Sequence, residues 1–224
     1  MPRTRQRPMA LMSGVVIVAA VAASAASPAR AQTASGRSVY VGGSVFDDVK
    51  RFSGDPSKAT LDGQAIGGAA QLGTALGDRW DIEIGIEVPT FTSSLQSRPE
   101  VANKSTTIML QDRTQNRAVT VPAVVRFHNL PHGRVQLGYL AGLGFVRLQR
   151  KFDTLAPAGT PAGLVAKPHE IVGYAATPVL GFDARIAITD RLAVVPAVRA
   201  SVLNVVTQVS GLLIRPQIGL HWMF

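Results

Sequence analysis

The last thirteen residues of the chain, 212–224, alternate between apolar and mixed positions in steps of two. This is the period of a β-strand, whose successive side chains point to opposite faces. The apolar face ends on an aromatic residue and consists of Leu212, Ile214, Pro216, Ile218, Leu220, Trp222 and Phe224. The other face is mixed and consists of Leu213, Arg215, Gln217, Gly219, His221 and Met223. The chain therefore ends in a strand that needs an apolar environment on one side only.

The first thirty-one residues have the features of a secretory signal peptide. Arg3, Arg5 and Arg7 precede an apolar run over 9–26, and a small-x-small cleavage motif follows at 29–31. A single transmembrane anchor is the alternative, but the run is rich in Ala and Ser and a cleavage motif follows it. We therefore expect a cleaved signal peptide at 1–31 and one exported domain over 32–224.

The composition excludes several kinds of site and makes nucleic acid an unexpected partner. The chain has no Cys, which excludes a disulfide framework, a thiolate zinc site and a lipid-modified cysteine. Four of its 23 Lys and Arg residues lie in the signal peptide, so the net charge of +9 belongs partly to targeting. An exported protein would rarely meet nucleic acid, and we expect no such partner. After the signal peptide no apolar run approaches the 18 residues of a helical span, so a membrane could be crossed only by a closed barrel.

Eight strand patterns follow one another through the exported domain. They cover about 37–46, 63–75, 80–88, 119–128, 135–145, 177–186, 192–202 and 212–224. The third is the clearest, since Trp80, Ile82, Ile84, Ile86 and Val88 alternate with Asp81, Glu83, Gly85 and Glu87. The first leaves the choice of its inward face open.

The connections between these patterns alternate in length. Long polar segments at about 47–62, 90–117 and 150–170 alternate with short turns at 76–79, 128–133 and 189–191, and a connection of intermediate length lies near 204–210. An even number of strands joined in this way is typical of an up-and-down barrel with short turns on its periplasmic side. The sequence predicts an all-β fold, an eight-stranded antiparallel up-and-down transmembrane β-barrel.

Lysine placement separates a membrane barrel from a soluble one. A soluble lipocalin-like barrel shows the same period, but water-facing strands would normally carry Lys and Glu. The five lysines instead fall in or beside the long segments: Lys50, Lys58, Lys104, Lys151 and Lys167. A lysine facing lipid at the midplane costs about 2–4 kcal/mol, so this distribution favours an apolar face in lipid.

Four prolines fall inside predicted strands, at Pro122, Pro178, Pro196 and Pro216. Each removes a hydrogen-bond donor from a sheet that has no free edge. Bulges or positions near the rims would accommodate them, and the strand registers beside them stay open.

The polar face of the strands collects charges of both signs. The predicted lumen charge network is Asp81, Glu83, Glu87, Arg126, Asp183, Arg185, Arg199 and Arg215. The interior of an eight-stranded barrel is just wide enough for side chains to fill, and each buried charge needs a partner. A packed ionic plug is therefore favoured over an ion or proton path through rearranging pairs.

No catalytic, cofactor or metal site is predicted. The four histidines, His128, His132, His169 and His221, have no Ser and acid at convincing strand spacing. His169 alone is near the predicted outer rim, and no lipid-modifying motif surrounds it. The glycines at 138, 142 and 144 lie mid-strand with no following helix, which favours small inward residues over a phosphate loop.

The ends of the exported domain resemble the small OmpA/OmpX-like outer-membrane β-barrel superfamily. The similar segments are Val39-Tyr40-Val41-Gly42-Gly43 and Arg215-Pro216-Gln217-Ile218-Gly219-Leu220, which leads to Phe224. The resemblance implies a Gram-negative outer-membrane location, contact with outer-membrane lipid, and delivery by the barrel-assembly machinery through the C-terminal strand. It also implies that Trp222 and Phe224 form the C-terminal assembly signal.

We therefore expect a non-enzymatic outer-membrane barrel with a side-chain-filled lumen. Its long surface segments would serve envelope integrity or surface interaction. The alternatives are a narrow porin-like pore or small-solute transporter, and a periplasmic lipocalin-like carrier.

Overall fold

The computed structural model describes residues 39–53, 63–103, 106–129, 134–205 and 209–224. These residues form nine β-strands and one short 3-10 helix, Ala162–Leu164. The strands are β1 (Val39–Ser53), β2 (Gly63–Ala75), β3 (Trp80–Pro89), β4 (Thr92–Asn103), β5 (Thr106–His128), β6 (Val135–Leu155), β7 (His169–Ala187), β8 (Leu192–Val205) and β9 (Val209–Met223). Within this described part, no helix has the length and apolar character that a membrane crossing requires. The predicted signal peptide at 1–31 lies outside the described residues.

The strands close into a barrel in which all neighbours are antiparallel. Their order is β3-β2-β1-β9-β8-β7-β6-β5-β4, and an additional β3–β5 pairing closes the ring. β3 and β4 follow each other along the same side of β5: β3 pairs with its last part and β4 with its first part. The described strands thus occupy eight positions around the wall, and the predicted eight-stranded antiparallel barrel is confirmed.

The two ends of the barrel differ. The terminus end holds Val39, Phe224 and the turns at 76–79 and 188–191, and the Phe224 amide donates to the Val39 carbonyl at 2.9 Å. The opposite end, which we call the loop end, is taller on one side. There β5, β6 and β7 have 23, 21 and 19 residues, whereas β3 has 10. Their surplus length, together with β4, forms a sheet that projects beyond the loop end.

The strand boundaries confirm part of the prediction and correct the rest. The second and third predicted strands agree with β2 and β3. The predicted polar connection at 90–117 is wrong, because it forms β4 and the outer part of β5, paired from Thr92↔Asn116 to Asn103↔Thr106. This hairpin is stabilised by polar contacts between its strands and not by an apolar face. Its sequence therefore lacks the apolar alternation by which a strand is recognised.

The other long connections are shorter than predicted. β6 continues to Leu155 and β7 begins at His169, so the connection predicted at 150–170 covers 156–168. β1 continues to Ser53 instead of ending at 46. The remainder of the predicted 47–62 connection, from 54 onward, lies outside the described residues.

The apolar face of the strands points outward. On β3, the side chains of Ile82, Ile84 and Ile86 are between 44 % and 51 % exposed, whereas those of Asp81 and Glu83 are at most 3 % exposed. The same parity holds around the wall, where outward residues include Val45, Leu72, Val125, Leu143, Leu180, Val202 and Leu220. This apolar outer band and polar interior reverse the arrangement of a water-soluble barrel.

The prolines interrupt the ladder without shifting it. The pairing register is the same before and after Pro122, Pro196 and Pro216, so none of these prolines lies in a β-bulge. The bulges considered from the sequence are therefore wrong at these three positions. The flanking pairs are Ile84↔Ala123 and Glu87↔Thr120, Asp183↔Ala197 and Ile186↔Val194, and Phe46↔Gln217 and Val49↔Ile214. Pro178 precedes the first β7–β8 pair, Val179↔Ser201. There the Thr177 hydroxyl donates to the Val202 carbonyl at 2.6 Å, which satisfies an acceptor beside the missing proline donor.

Candidate functional site

The centre of the lumen is built on an anionic column along β3. Because side chains on one face recur every second residue, Asp81, Glu83 and Glu87 all point inward from this single strand. All three are buried. Gly85 occupies the position between Glu83 and Glu87 and leaves that part of the lumen open to side chains from other strands. A column of buried carboxylates requires cations opposite it.

Arg126 supplies the first of these cations from the adjacent β5. Its Nη2 donates to Glu83 Oε2 at 2.7 Å, and its Nε donates to Asp183 Oδ2 at 2.8 Å. The Tyr40 hydroxyl accepts from Arg126 Nη1 at 2.5 Å and donates to Glu83 Oε2 at 2.9 Å. One guanidinium thus joins four strands, β1, β3, β5 and β7.

Two further arginines extend the contacts toward the loop end. Arg199, on β8, donates to Glu83 through Nη2 and to Glu87 Oε1 through Nη1 at 3.1 Å. Arg215, on β9, donates to Glu87 Oε2 at 2.5 Å and to Asp48 Oδ1 at 2.8 Å. Each arginine bridges two carboxylates, so the ion pairs form a continuous network instead of isolated couples.

The network ends differently at the two ends of the barrel. Toward the terminus end, Asp81 Oδ2 contacts Arg185 Nη2 at 3.0 Å and His128 Nε2 at 2.9 Å. Toward the loop end, Asp48 Oδ2 contacts Lys50 Nζ at 2.9 Å. The contacts therefore run along the barrel interior from His128 to Lys50.

The structure brings all eight sequence-predicted lumen charges into this one network, and it adds residues that sequence reasoning missed. The sequence predicts a loop at Asp48 and Lys50 and a turn at His128, but all three are buried at strand positions. The placement of Lys50 in or beside a loop is therefore wrong. The missed signal is the continued period of two along β1, which carries Tyr40 and Phe46 inward with Asp48 and Lys50.

Opposite charges balance within the network. Among the described residues, the bases in it are Lys50, Arg126, Arg185, Arg199 and Arg215, and the acids are Asp48, Asp81, Glu83, Glu87 and Asp183. Most of these side chains are almost completely buried. An interior with five bases and five acids can be closed to water without leaving an unpaired charge.

Inward glycines make room for the larger members of the network. A Cβ at Gly138 would lie 2.3 Å from Asp183 Oδ1 and 3.1 Å from Arg126 Cγ, and one at Gly73 would lie 2.1 Å from the Tyr40 ring. Gly138 therefore has a packing role, as predicted from its position within a strand.

The histidines of the described part enter ordinary contacts. His221 Nε2 lies 2.9 Å from Gln71 Oε1, and its ring stacks on Tyr40 with centroids 4.8 Å apart. His169 stacks on Phe152 with centroids 4.6 Å apart. Within the described ranges, no group of three or more His, Asp or Glu side chains has a geometry suited to a metal ion.

The predicted C-terminal assembly signal lies on the outer wall at the terminus end. Trp222 pairs with Leu192 on β8, and the Phe224 side chain is 74 % exposed. Trp80 lies at the same end, with its ring centroid 4.8 Å from that of Phe127. Aromatic residues at this height are typical of the interfacial belt of a membrane barrel.

Comparison with known proteins identifies the fold. No protein-family model and no curated protein matches the sequence. The attachment invasion locus protein Ail of Yersinia pestis superposes with a TM-score of 0.50 at 10% identity, covering 84% of this chain and 99% of Ail. Neisserial surface protein A superposes with a TM-score of 0.53 at 12% identity, covering 83% of this chain and 97% of that protein. The chain therefore has the fold of the small eight-stranded outer-membrane β-barrels, the OmpA/OmpX-like architecture that its end segments resemble.

Proposed function

We propose that this protein is a non-enzymatic β-barrel of the bacterial outer membrane, with a lumen closed by paired side chains. In this proposal the sheet beyond the loop end faces the exterior and serves envelope integrity or surface interaction. The observation that carries the proposal is the combination of an apolar outer band with a charge-balanced, buried interior.

The outer band supports a membrane location over a soluble carrier. Large apolar side chains exposed on the wall recur on every barrel strand, including Trp80, Tyr139, Phe145, Phe182 and Trp222. A water-soluble monomer rarely exposes contiguous apolar patches of more than a few hundred Å². In a bilayer the same side chains are solvated by acyl chains, and the ten residues of β3 suit a tilted transmembrane strand.

The lumen network supports a closed barrel over a pore. A conducting path would require water or an ion to pass Arg126, Arg199 and Arg215, each of which is held by two or more carboxylate contacts. Breaking such buried pairs costs several kcal/mol when the partners are not replaced. The resting barrel is therefore expected to remain at the baseline conductance of the bilayer.

The sheet β4–β7 supports a role in surface contact. Arg98 Nε contacts Asp112 Oδ2 at 2.7 Å, and Arg113 Nη2 contacts Asp153 Oδ2 at 2.6 Å. The Thr154 hydroxyl donates to Asp112 Oδ1 at 2.8 Å. These contacts connect β4, β5 and β6 and fix a projecting surface on rigid strands, which a binding surface needs.

The test combines outer-membrane fractionation with electrophoresis of unboiled and boiled samples. We expect the full chain in the outer-membrane fraction, with a compact form whose electrophoretic migration changes on boiling. Recovery in the soluble periplasmic fraction would overturn it in favour of a carrier. Planar-bilayer recordings of the refolded protein test the closed lumen, and conductance steps that disappear when Arg199 and Arg215 are neutralised would favour the pore.

A further inference from the structure

A cleft of about 560 Å³ opens on the outer wall where β1, β2 and β3 meet the start of β4. Its sides include Val45, Ile66 and Val88, which are 58 %, 69 % and 40 % exposed. Gly68 lies on the same wall and has no side chain to fill the space. The cleft therefore gives the outer band a recess lined largely by aliphatic side chains.

At its end nearest the projecting sheet, the cleft meets two basic side chains, Arg117 and Lys151. Phe91 and Arg117 line it, and the Arg117 guanidinium carbon lies 4.5 Å from the centroid of the Phe91 ring. Lys151 Nζ lies 5.0 Å from the same centroid. The Phe91 ring thus makes cation–π contacts with two basic side chains at the end of the cleft nearest the projecting sheet.

These cations lack carboxylate partners among the described residues. Arg117 Nη2 donates to the amide oxygen of Gln149 at 2.6 Å, and its buried Nε has no hydrogen-bond partner. Glu170 is the nearby acid: it lies opposite Lys151 across the β6–β7 ladder, and it accepts from Gln149 Nε2 at 2.7 Å.

Nearby bases leave the region positive. Arg147 is exposed on the same face of β6, two residues before Gln149. Arg113, by contrast, is paired with Asp153. Asp47, opposite Ile66 across the β1–β2 ladder, is a second acid beside the cleft, and it accepts a hydrogen bond from Gln64 Nε2. Arg117, Arg147 and Lys151 therefore outnumber the two carboxylates of Glu170 and Asp47, and the end of the cleft beside Arg117 attracts an anion.

We propose that this cleft binds an acylated lipid with a phosphate head group. The proposal rests on the membrane location proposed above, which puts this wall in contact with acyl chains. One chain lies along Val45, Ile66 and Val88, and the phosphate oxygens accept hydrogen bonds from Arg117 and Lys151. A guanidinium and an ammonium are the side chains that bind phosphate best.

The shape of the recess selects a lipid over a free phosphate. A free phosphate would use the cations but leave the apolar recess empty. A neutral lipid would fill the recess but leave Arg117 and Lys151 without an anion. The two halves of the site together match a ligand that carries both a chain and a phosphate.

Two glycines provide a matched pair of variants. A Cβ at Gly68 would meet only the Ser44 carbonyl oxygen at 3.9 Å, and a Cβ at Gly43 would meet only the Ala69 carbonyl oxygen at 3.8 Å. Both positions face outward, but only Gly68 lines the cleft. Gly68→Leu therefore fills the recess, whereas Gly43→Leu adds the same side chain to the wall beside it.

The experiment measures lipid binding to the refolded full chain by native mass spectrometry. The probes are dipalmitoyl phosphatidate, dipalmitoylglycerol without the phosphate, and glycerol 3-phosphate without the chains. We expect phosphatidate to bind at least about tenfold more tightly than either half. Gly68→Leu and the double variant Arg117→Gln/Lys151→Gln should each weaken phosphatidate binding by about tenfold or more. Gly43→Leu and Arg191→Gln, a charge removed at the opposite rim, should leave it unchanged.

Several outcomes would overturn the inference. Equal binding of phosphatidate and dipalmitoylglycerol would remove the phosphate from the recognised chemistry, and equal binding of glycerol 3-phosphate would remove the chain. Unchanged binding by Gly68→Leu would show that the lipid lies elsewhere. A heat-modifiable barrel that inserts in bilayers but binds no phosphatidate overturns this inference alone. A chain that does not insert overturns the proposed membrane location together with it.

Discussion

Arg126 and Glu83 lie on the neighbouring strands β5 and β3 and meet inside the lumen with 2.7 Å between Nη2 and Oε2, and about 1 % of either side chain is exposed. Their mutual attraction offsets the cost of removing both charges from water. Glu83 also accepts from Arg199 and from the Tyr40 hydroxyl, so its carboxylate connects four strands of the wall. Because this carboxylate is buried and shared by three donors, loss of its charge should lower the stability of the whole barrel.

Glu83→Gln should lower the free energy of unfolding by about 3 kcal/mol, because it removes a carboxylate from both Arg126 and Arg199 and leaves the buried interior with one uncompensated positive charge. Urea titration of the barrel refolded in phosphatidylcholine vesicles, followed by tryptophan fluorescence, measures this loss. Glu100→Gln is the control, since the side chains of the Arg98–Glu100 pair are 42 % and 34 % exposed and the pair should contribute less than about 1 kcal/mol. Equal losses from the two substitutions would contradict the role assigned to burial.

Gly138→Ala should destabilise the barrel by about 1–3 kcal/mol, because the added methyl group would lie 2.3 Å from Asp183 Oδ1. The carboxylate could move only by weakening its contact with Arg126. Gly173→Ala is the matched control on β7, where a Cβ would meet nothing within 4 Å. The same urea titration compares the two, and a stable Gly138→Ala variant would show that the lumen is packed more loosely than described.

Thr177→Val should lower stability by about 1–3 kcal/mol, because the Val202 carbonyl loses the hydroxyl that donates to it. Valine has a similar size, so the loss would report the hydrogen bond and not a cavity. Thr160→Val removes a hydroxyl that bonds the Pro157 carbonyl in an exposed segment, and should change stability by less than about 0.5 kcal/mol. A neutral Thr177→Val would mean that the carbonyl beside Pro178 needs no side-chain donor.

Phe224→Ala should reduce the amount of barrel assembled in cells while leaving the refolded protein almost as stable as the parent. The side chain is 74 % exposed, and the hydrogen bond to the Val39 carbonyl uses only the backbone amide. Quantifying the heat-modifiable form in outer-membrane fractions measures assembly, and urea titration measures stability. Phe182→Ala, at another outward aromatic, is the control. Normal assembly of Phe224→Ala would remove the terminal residue from the predicted assembly signal.

Sequence patterns identify those strands whose two faces meet different surroundings. β3 alternates Ile and acid because one face points outward into the apolar band and the other into the charged lumen, and its limits were predicted almost to the residue. β4 and the outer half of β5 project beyond the apolar band, where polar side chains suit both faces. Their strand character depends on pairing with each other, which a period-two search for apolar residues does not detect.

Parity along the strands was enough to choose the eight lumen charges, but their partners depend on the stagger of the strands around the barrel. Arg199 meets Glu83 and Glu87 although 116 and 112 positions separate them in the chain. Asp48 and Lys50 are missing from the predicted network because the first predicted strand ends at 46, whereas β1 and its period of two continue to Ser53. The cleft beside Gly68 could not be predicted, since it depends on where β3 gives way to β4.

The bridging arrangement of the lumen ions constrains how such an interior can change over time. Loss of a base from the middle, such as Arg199, removes one contact from each of two acids and leaves the interior with one uncompensated negative charge. In natural relatives we therefore expect coupled substitutions, in which an acid and the base that bridges it are lost together or exchange positions between strands. The outward-facing wall carries no such coupling, so its aliphatic residues can be substituted one at a time.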